Sequence, residues 1–287
     1  MLERFIFLEE AVKSTVAIIE KELPVLTATE WNIIKELCLI LKPFEEATKS
    51  LSGENYCTSS LVIPICNGLK NILEELLRKK LSETVTNVVQ RLRGSFQERL
   101  GNVENNNTLA VSTFLDPKFK QFAFSNPSMA ENTKENIMKM IVEKISEESS
   151  ELYPSSAAKE SNDKPMEEIG NVNSMSIWGT FDKTIASVQP KGTHNSRAII
   201  EIQGYIEEGV ISRHQNSLLW WKNHKERLPY LSKIAQDQLC TLATSVPCER
   251  LFSKAGNILT ERRSRLNNKK TQMILFLNSN LSLVENE

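Results

Sequence analysis

With 287 residues the chain is long enough for one large or two ordinary domains and an ample core. Hydrophobic residues make up 40% and charged residues 25%, the proportions of an ordinary globular protein, and a formal net charge of -1 excludes the global basicity that advertises nucleic acid. Five scattered cysteines (Cys38, Cys57, Cys66, Cys240 and Cys248) with no CxxC, and three histidines (His194, His214 and His224) at no metal spacing from them, point to neither a disulfide framework nor a zinc module. A reducing intracellular compartment, no metal and no cofactor are the expectations.

In chain order, Met1 leads directly into an amphipathic pattern. Leu2, Phe5, Leu8/Glu9, Val12, Val16 and Ile19 line one face of a helix that Pro24 should stop. Phe5-Ile6-Phe7-Leu8 is too short and too close to charge for a secretory signal. No apolar run approaches the roughly 20 residues that span a bilayer, so no membrane is expected as a partner. Thr27 and Glu30 stand at capping-box spacing before a helix carrying Trp31, Ile34, Cys38, Leu41 and Phe44, in which Pro43 marks a bend or the end. Residues 51–60 are a polar connector. Val62, Ile65, Leu69, Ile72 and Leu76 then form a heptad-like stripe, too short for a free coiled coil. Val85, Val88/Val89, Leu92 and Phe96 predict a fourth helix, ending near Gly101 and the Asn-rich turn at Asn105–Asn107.

Leu109–Leu115 (LAVSTFL) is short, apolar and partly β-branched, and is the one stretch that reads as strand. Asp116-Pro117 reads as a turn. A helix over about 132–148 aligns Ile137, Ile141 and Ile145. Residues 151–175 are rich in Ser, Glu and Lys and poor in apolar residues, which predicts a disordered acidic and serine-rich linker. Order is expected to resume at Ile177-Trp178 and Phe181, followed by a helix over 198–208.

The C-terminal block carries clearer signals. Pro229 opens a helix with Leu231, Ile234 and Leu239. Ser245 is placed to cap a helix whose first turn takes Pro247, with Leu251, Phe252, Ala255 and Ile258/Leu259 on one apolar face. Gly256 should end or distort that helix. Asn267 is placed to cap a last helix with Met273, Phe276/Leu277 and Leu281 on one side. Three short helices with apolar faces need a surface to pack on, from the rest of the chain or from a second copy of it.

Several of these residues also form a pattern: Trp220-Trp221 with Lys222, Pro229, the run Thr244-Ser245-Val246-Pro247-Cys248-Glu249-Arg250 with Phe252-Ser253, then Arg263, Leu266, Leu275-Phe276-Leu277-Asn278 and Asn280-Leu281. This resembles the C-terminal dimerisation region of hAT-family transposases and of host proteins derived from them, many of which carry BED zinc fingers. Cys248 stands where the family pattern usually has serine. Thr113–Lys120, Ser176–Lys183 and Glu201–Glu208 extend the resemblance more weakly. It implies a mainly α chain: an all-helical insertion-type region over 1–150, the linker over 151–175, and a dimerisation region over 176–287 with its core at about 203–283. The last part would be the C-terminal helical portion of an RNase H-like transposase fold whose catalytic strands are missing from this chain. The resemblance also implies a nuclear protein that forms a homodimer or a heterodimer with hAT-family proteins.

The same resemblance sets the chemistry to test. RNase H-like transposases cut DNA with divalent metal held by two Asp and one Glu, carboxylates that must converge on both ions. Glu249 matches the Glu, and the two Asp would come from strands preceding Met1, so this chain alone is expected to be no enzyme and Glu249 a vestige. Its plain reading is a first-turn glutamate favoured by the helix dipole and paired with Arg250 or Arg263. Arg262, Arg263, Arg265, Lys269 and Lys270 form the densest basic cluster, a weak DNA contact or a solvated face balanced by Glu261. Trp220 and Trp221 cannot share a helix face, so one goes to the core and the other to a neighbouring element or subunit. Cys248 reads as an inert buried substitute for serine rather than an activated thiol. The dimerisation residues implied are Trp220, Trp221, Leu251, Phe252, Ile258, Leu275, Phe276 and Leu281. The alternative is the C-terminal part of an active or domesticated transposase, or of a DNA-binding nuclear regulator, with a BED finger and the aspartates upstream.

Overall fold

The computed structural model describes residues 1–19, 23–152, 193–258 and 267–284, and among these the chain is helical with no strand. Helices α1 (Leu2–Phe7) and α2 (Glu9–Ile18) divide at Leu8, where one continuous helix is predicted. Then come α3 (Ala28–Leu51), α4 (Val62–Arg78), α5 (Glu83–Leu100), α6 (Asn107–Leu115) and α7 (Pro127–Leu152). α7 takes in the first two residues of the predicted linker; residues 153–192, which hold the rest of it and the stretch with Ile177, Trp178 and Phe181 where order is expected to resume, lie outside the described residues, and after them follow α8 (His194–Glu207), α9 (Ser217–His224), α10 (Pro229–Leu239), α11 (Val246–Ile258) and α12 (Asn268–Val284).

The capping box forms as its spacing predicts: Glu30 N–H donates to the Thr27 hydroxyl, and Thr27 N–H to the Glu30 carboxylate at 2.7 Å. Pro43 does not end α3, which runs eight residues beyond it to Leu51. The carbonyl that loses its partner belongs to Leu39, itself 53% exposed, where water can replace the missing N–H. Phe5 stacks on Trp31 with ring centroids 5.0 Å apart and holds α1 against α3.

Leu109–Leu115 is not a strand but most of α6. The Asn106 side chain accepts from Leu109 N–H and starts the helix, and every residue from Ala110 to Leu115 is buried. A helix enclosed on all sides needs no polar stripe, so its sequence shows a continuous apolar run indistinguishable from a buried strand. In α4 the buried stripe is Ile63, Cys66, Leu69, Leu73 and Leu76, sharing only Leu69 and Leu76 with the predicted one. Two neighbouring stripes satisfy a 3.6-residue period equally, and packing against α5 and α6 selects between them.

Two cores result. The smaller joins Ile40 of α3, Leu73 and Leu76 of α4, and Val85 and Val89 of α5. The larger is built around α6 and α7, through Val111, Phe114, Leu115, Ile137, Ile141 and Ile145, and is completed by Ile202, Tyr205, Trp221, Leu231, Ile234 and Leu239 from α8 to α10. Elements on both sides of residues 153–192 thus share one hydrophobic interior.

Candidate functional site

The segment from α8 to α12 divides into a seated part, α8–α10, and a projecting part, α11–α12. Seating depends on the stretch from Phe114 to Lys120. Tyr205 Oη donates to the Phe114 carbonyl and Trp221 Nε1 to the Leu115 carbonyl, each at 2.9 Å. Both carbonyls are at the end of α6, where helix geometry leaves acceptors without partners. Asp116 is fully buried and accepts from Ser60 Oγ (2.6 Å), Ser217 Oγ (2.8 Å) and its neighbour's N–H at Lys118 (3.0 Å). The predicted turn is there, but the carboxylate also ties α9 to the short helical turn before α4.

Lys120 is buried with a left-handed backbone (φ 49°). Its Nζ donates to the Tyr205 carbonyl at 2.6 Å and to that of Glu208, closing the C-terminal end of α8, where a cation also complements the helix dipole. Burial pushes the Lys120 amine down to about 8, with the Glu208 charge opposing the shift. At the other end of this unit Glu201, also buried, accepts from Tyr230 N–H (3.3 Å) and Leu231 N–H (2.8 Å). It serves the first free donors of α10, since Pro229 has none to offer. Burial raises its carboxyl above the usual range, against the lowering effect of those two N–H groups.

The paired tryptophans separate as adjacency requires. Trp221 is buried and stacks on Tyr205 with centroids 5.1 Å apart. Trp220 is half-buried and stacks on His224 at 3.8 Å. Trp221 therefore belongs to the core, and of the pair only Trp220 keeps surface to offer.

The projecting part is a helical hairpin in which α11 and α12 pack on each other. Asn267 caps α12 as predicted, its side chain accepting from Lys270 N–H at 2.9 Å. Ser245 behaves differently from the expectation: its carbonyl accepts Glu249 N–H (2.9 Å), while its hydroxyl donates to the Glu249 carboxylate (2.6 Å). Glu249 is thus held by Ser245, not by Arg250, which pairs loosely with Glu54 at 3.7 Å. Cys248 is exposed, correcting its predicted burial, because the start of α11 lies off the core. α11 runs through Gly256 and is described as far as Ile258, two residues beyond the glycine near which its end or distortion is expected. Among the described residues no three His, Cys, Asp or Glu side chains are grouped to hold a metal ion.

The apolar positions of the hairpin remain largely uncovered. Phe252 is 74% exposed, Phe276 67% and Leu281 53%; Leu251 is also exposed, while Ile258 and Leu275 are half-buried. Lys269 and Lys270 lie exposed at the start of α12, and Arg262, Arg263 and Arg265 fall outside the described residues. Sequence reasoning located the hairpin but missed Asp116, Lys120 and Glu201 as the groups that fasten its base. The only local signal was the polar-proline grouping of Leu115–Lys120, which reads as a turn.

A helical segment anchored at one end in the core and offering an apolar hairpin at the other has the layout of a self-association module. Residues 201–281 match the hAT family C-terminal dimerisation region. The chain is similar to human zinc finger BED domain-containing protein 4, with 26% identity over 287 residues, 99% of this chain and 23% of that protein. It is similar to the putative AC transposase of Zea mays, 23% identical over 261 residues, 86% of this chain and 31% of the relative. It is also similar to the zinc finger BED domain-containing protein DAYSLEEPER of Arabidopsis thaliana, 23% identical over 250 residues, 84% and 33% of the two chains. The chain spans between 23% and 33% of the length of these relatives, and the resemblance read from the tryptophan pair and the Ser245–Ser253 run is upheld.

Proposed function

We propose that this chain is a transposase-derived dimerisation module that associates with a second copy through the exposed face of the α11–α12 hairpin. The observation that carries this reading is the cluster of Leu251, Phe252, Phe276 and Leu281, exposed within the very residues that match a dimerisation region. Large apolar side chains exposed on one pair of packed helices mark a candidate interaction site, and two identical copies meet most simply through one self-complementary patch. Ile258 and Leu275 of the hairpin and the half-buried Trp220 of the seated part are the further residues proposed for the interface. A hAT-family protein with the same hairpin is the natural heterodimer partner. The seated Trp221 supports the interface by fixing α9 rather than by touching the partner.

In this reading the chain does not cut DNA: Glu249 is a residual carboxylate engaged by Ser245, and the RNase H-like strands with their two aspartates belong to sequence outside it. Its place of work is the nucleus, as expected for relatives named as transposases and BED zinc finger proteins. DNA contact through Arg262, Arg263, Arg265, Lys269 and Lys270 is secondary. The second reading, favoured by the chain's covering only 23% to 33% of these relatives, is a C-terminal part of a longer transposase or nuclear regulator. Among the described residues no helix is long and apolar enough to cross a membrane.

Light scattering on the chain and on a Phe252→Asp, Phe276→Asp variant tests the proposal. A dimeric parent and a monomeric variant with unchanged helical signal are expected; a parent that is a folded monomer at high concentration would overturn it.

A further inference from the structure

A groove of about 570 Å³ opens on the seated part, and none of the residues assigned to the dimer face lines it. Tyr56, Lys118, Phe119, Arg213, His214, Gln215, Asn216 and Ser217 contribute to its lining, and no carboxylate does. Neither Lys118 nor Arg213 forms an ion pair with a described residue.

The neutral side chains lean the same way. Gln215 Oε1 accepts from Ser212 N–H at 3.2 Å, and Asn216 Oδ1 accepts from Leu218 N–H at 2.9 Å and Leu219 N–H at 3.3 Å. Backbone N–H groups only donate, so both amide oxygens are taken and both side chains are left with NH₂ donors. The Ser217 hydroxyl already donates to Asp116, which lies behind the floor with its oxygens engaged by Ser60, Ser217 and Lys118 N–H. Burial, with the Asp116 charge adding to it, pushes the Cys57 thiol up to about 11, so the groove's cysteine brings no negative charge. The wall is therefore rich in donors and poor in acceptors, with two unpaired cations and the rings of Tyr56 and Phe119 beside them. That composition suits a ligand whose groups all accept, above all a phosphate, to which guanidinium and ammonium donate strong charge-assisted hydrogen bonds.

We propose that this groove binds a phosphate group, with Lys118 and Arg213 as its charged contacts and Gln215 and Asn216 as amide donors. The phosphate can come from a small phosphorylated molecule or from a nucleic-acid backbone. Calorimetric titration of the full chain with inorganic pyrophosphate at low ionic strength, and binding of a short labelled DNA duplex, distinguish the two sources. The variants are Lys118→Gln with Arg213→Gln, and a control losing the same charge from exposed sites elsewhere, Lys139→Gln with Arg197→Gln. Each lost charged contact should weaken binding about tenfold or more, since a hydrogen bond to a charged group contributes roughly 1.5–3 kcal/mol. Selective loss of pyrophosphate binding in the groove variant establishes the site for small phosphates. Selective loss of duplex binding alone establishes it for the backbone. The proposal is overturned if the parent binds neither probe, if the groove variant binds like the parent, or if the control loses as much. All variants should keep the parent's mass in solution, so this test and that of the dimer fail independently.

Discussion

Phe252→Ala removes the largest uncovered apolar side chain of α11 without disturbing the core. Full burial of such a side chain contributes about 1.5–3 kcal/mol. Phe252 is 74% exposed in the single chain, so about three-quarters of that contribution, roughly 1–2 kcal/mol, is still to be gained on association. In a two-fold symmetric interface the residue occurs twice, which brings the cost of the substitution to about 2–4 kcal/mol. At about 1.4 kcal/mol per decade, the dimer dissociation constant should weaken between about 30-fold and about 1,000-fold. Sedimentation equilibrium over a dilution series reads this directly. Phe122→Ala is the matched control, because Phe122 is 70% exposed but lies between α6 and α7, away from the hairpin. Its dissociation constant should equal the parent's, and the urea midpoint of either variant as a monomer should stay close to the parent's. A Phe252→Ala protein that dimerises like the parent would refute the hairpin face as the interface, and a Phe122→Ala protein that fails to dimerise would relocate it.

Two further outcomes test the base of the hairpin. Asp116→Ala leaves the Ser60 and Ser217 hydroxyls and Lys118 N–H without their acceptor in a fully buried site, and should cost about 3–5 kcal/mol in urea unfolding, while Asp116→Asn keeps one carbonyl oxygen and costs less. Equal stability of parent and alanine variant would remove Asp116 as a fastening group. Lys120 supplies a pH dependence: its amine titrates at about 8 in the folded chain and near the ordinary 10.5 when unfolded. Between those values the unfolded chain binds more protons, so this residue's contribution makes stability rise from about pH 8 towards about pH 10.5, and below about pH 8 it adds no slope. Comparing unfolding at several alkaline pH values with that of Lys120→Met isolates the rise; identical slopes for the two proteins would contradict the burial assigned to this amine.

Short-range features were readable along the chain. The capping box at Thr27 and Glu30, the cap at Asn267, the proline opening α10 and the separation of Trp220 from Trp221 all depend on residues within four positions of each other. The tail motif was readable for the same reason, because its residues lie close together in α9 to α12. Where the sequence misled, the partner was distant. LAVSTFL resembles a strand until α7 and α10 enclose it, and Asn106, read only as part of a turn, was the one nearby sign of a helix start. The partners of Asp116 are 56 and 101 positions away, and those of Lys120 are 85 and 88. No local pattern announces such pairs.

Local chemistry in the chain therefore settles that helices form, where most of them begin, and that the tail carries a dimerisation-type pattern. It leaves undetermined which apolar faces are interior and which are surface. Leu231 and Phe252 both sit on apolar faces of C-terminal helices, yet Leu231 is fully buried and Phe252 is 74% exposed. The difference comes from assembly: α8 to α10 are drawn into the core by Tyr205, Trp221, Asp116 and Lys120, while among the described residues no buried core residue of the larger cluster comes from α11 or α12. Burial is a property of what surrounds a residue, and the surroundings of α8 and α10 come from α6 and α7, on the far side of residues 153–192 in the chain.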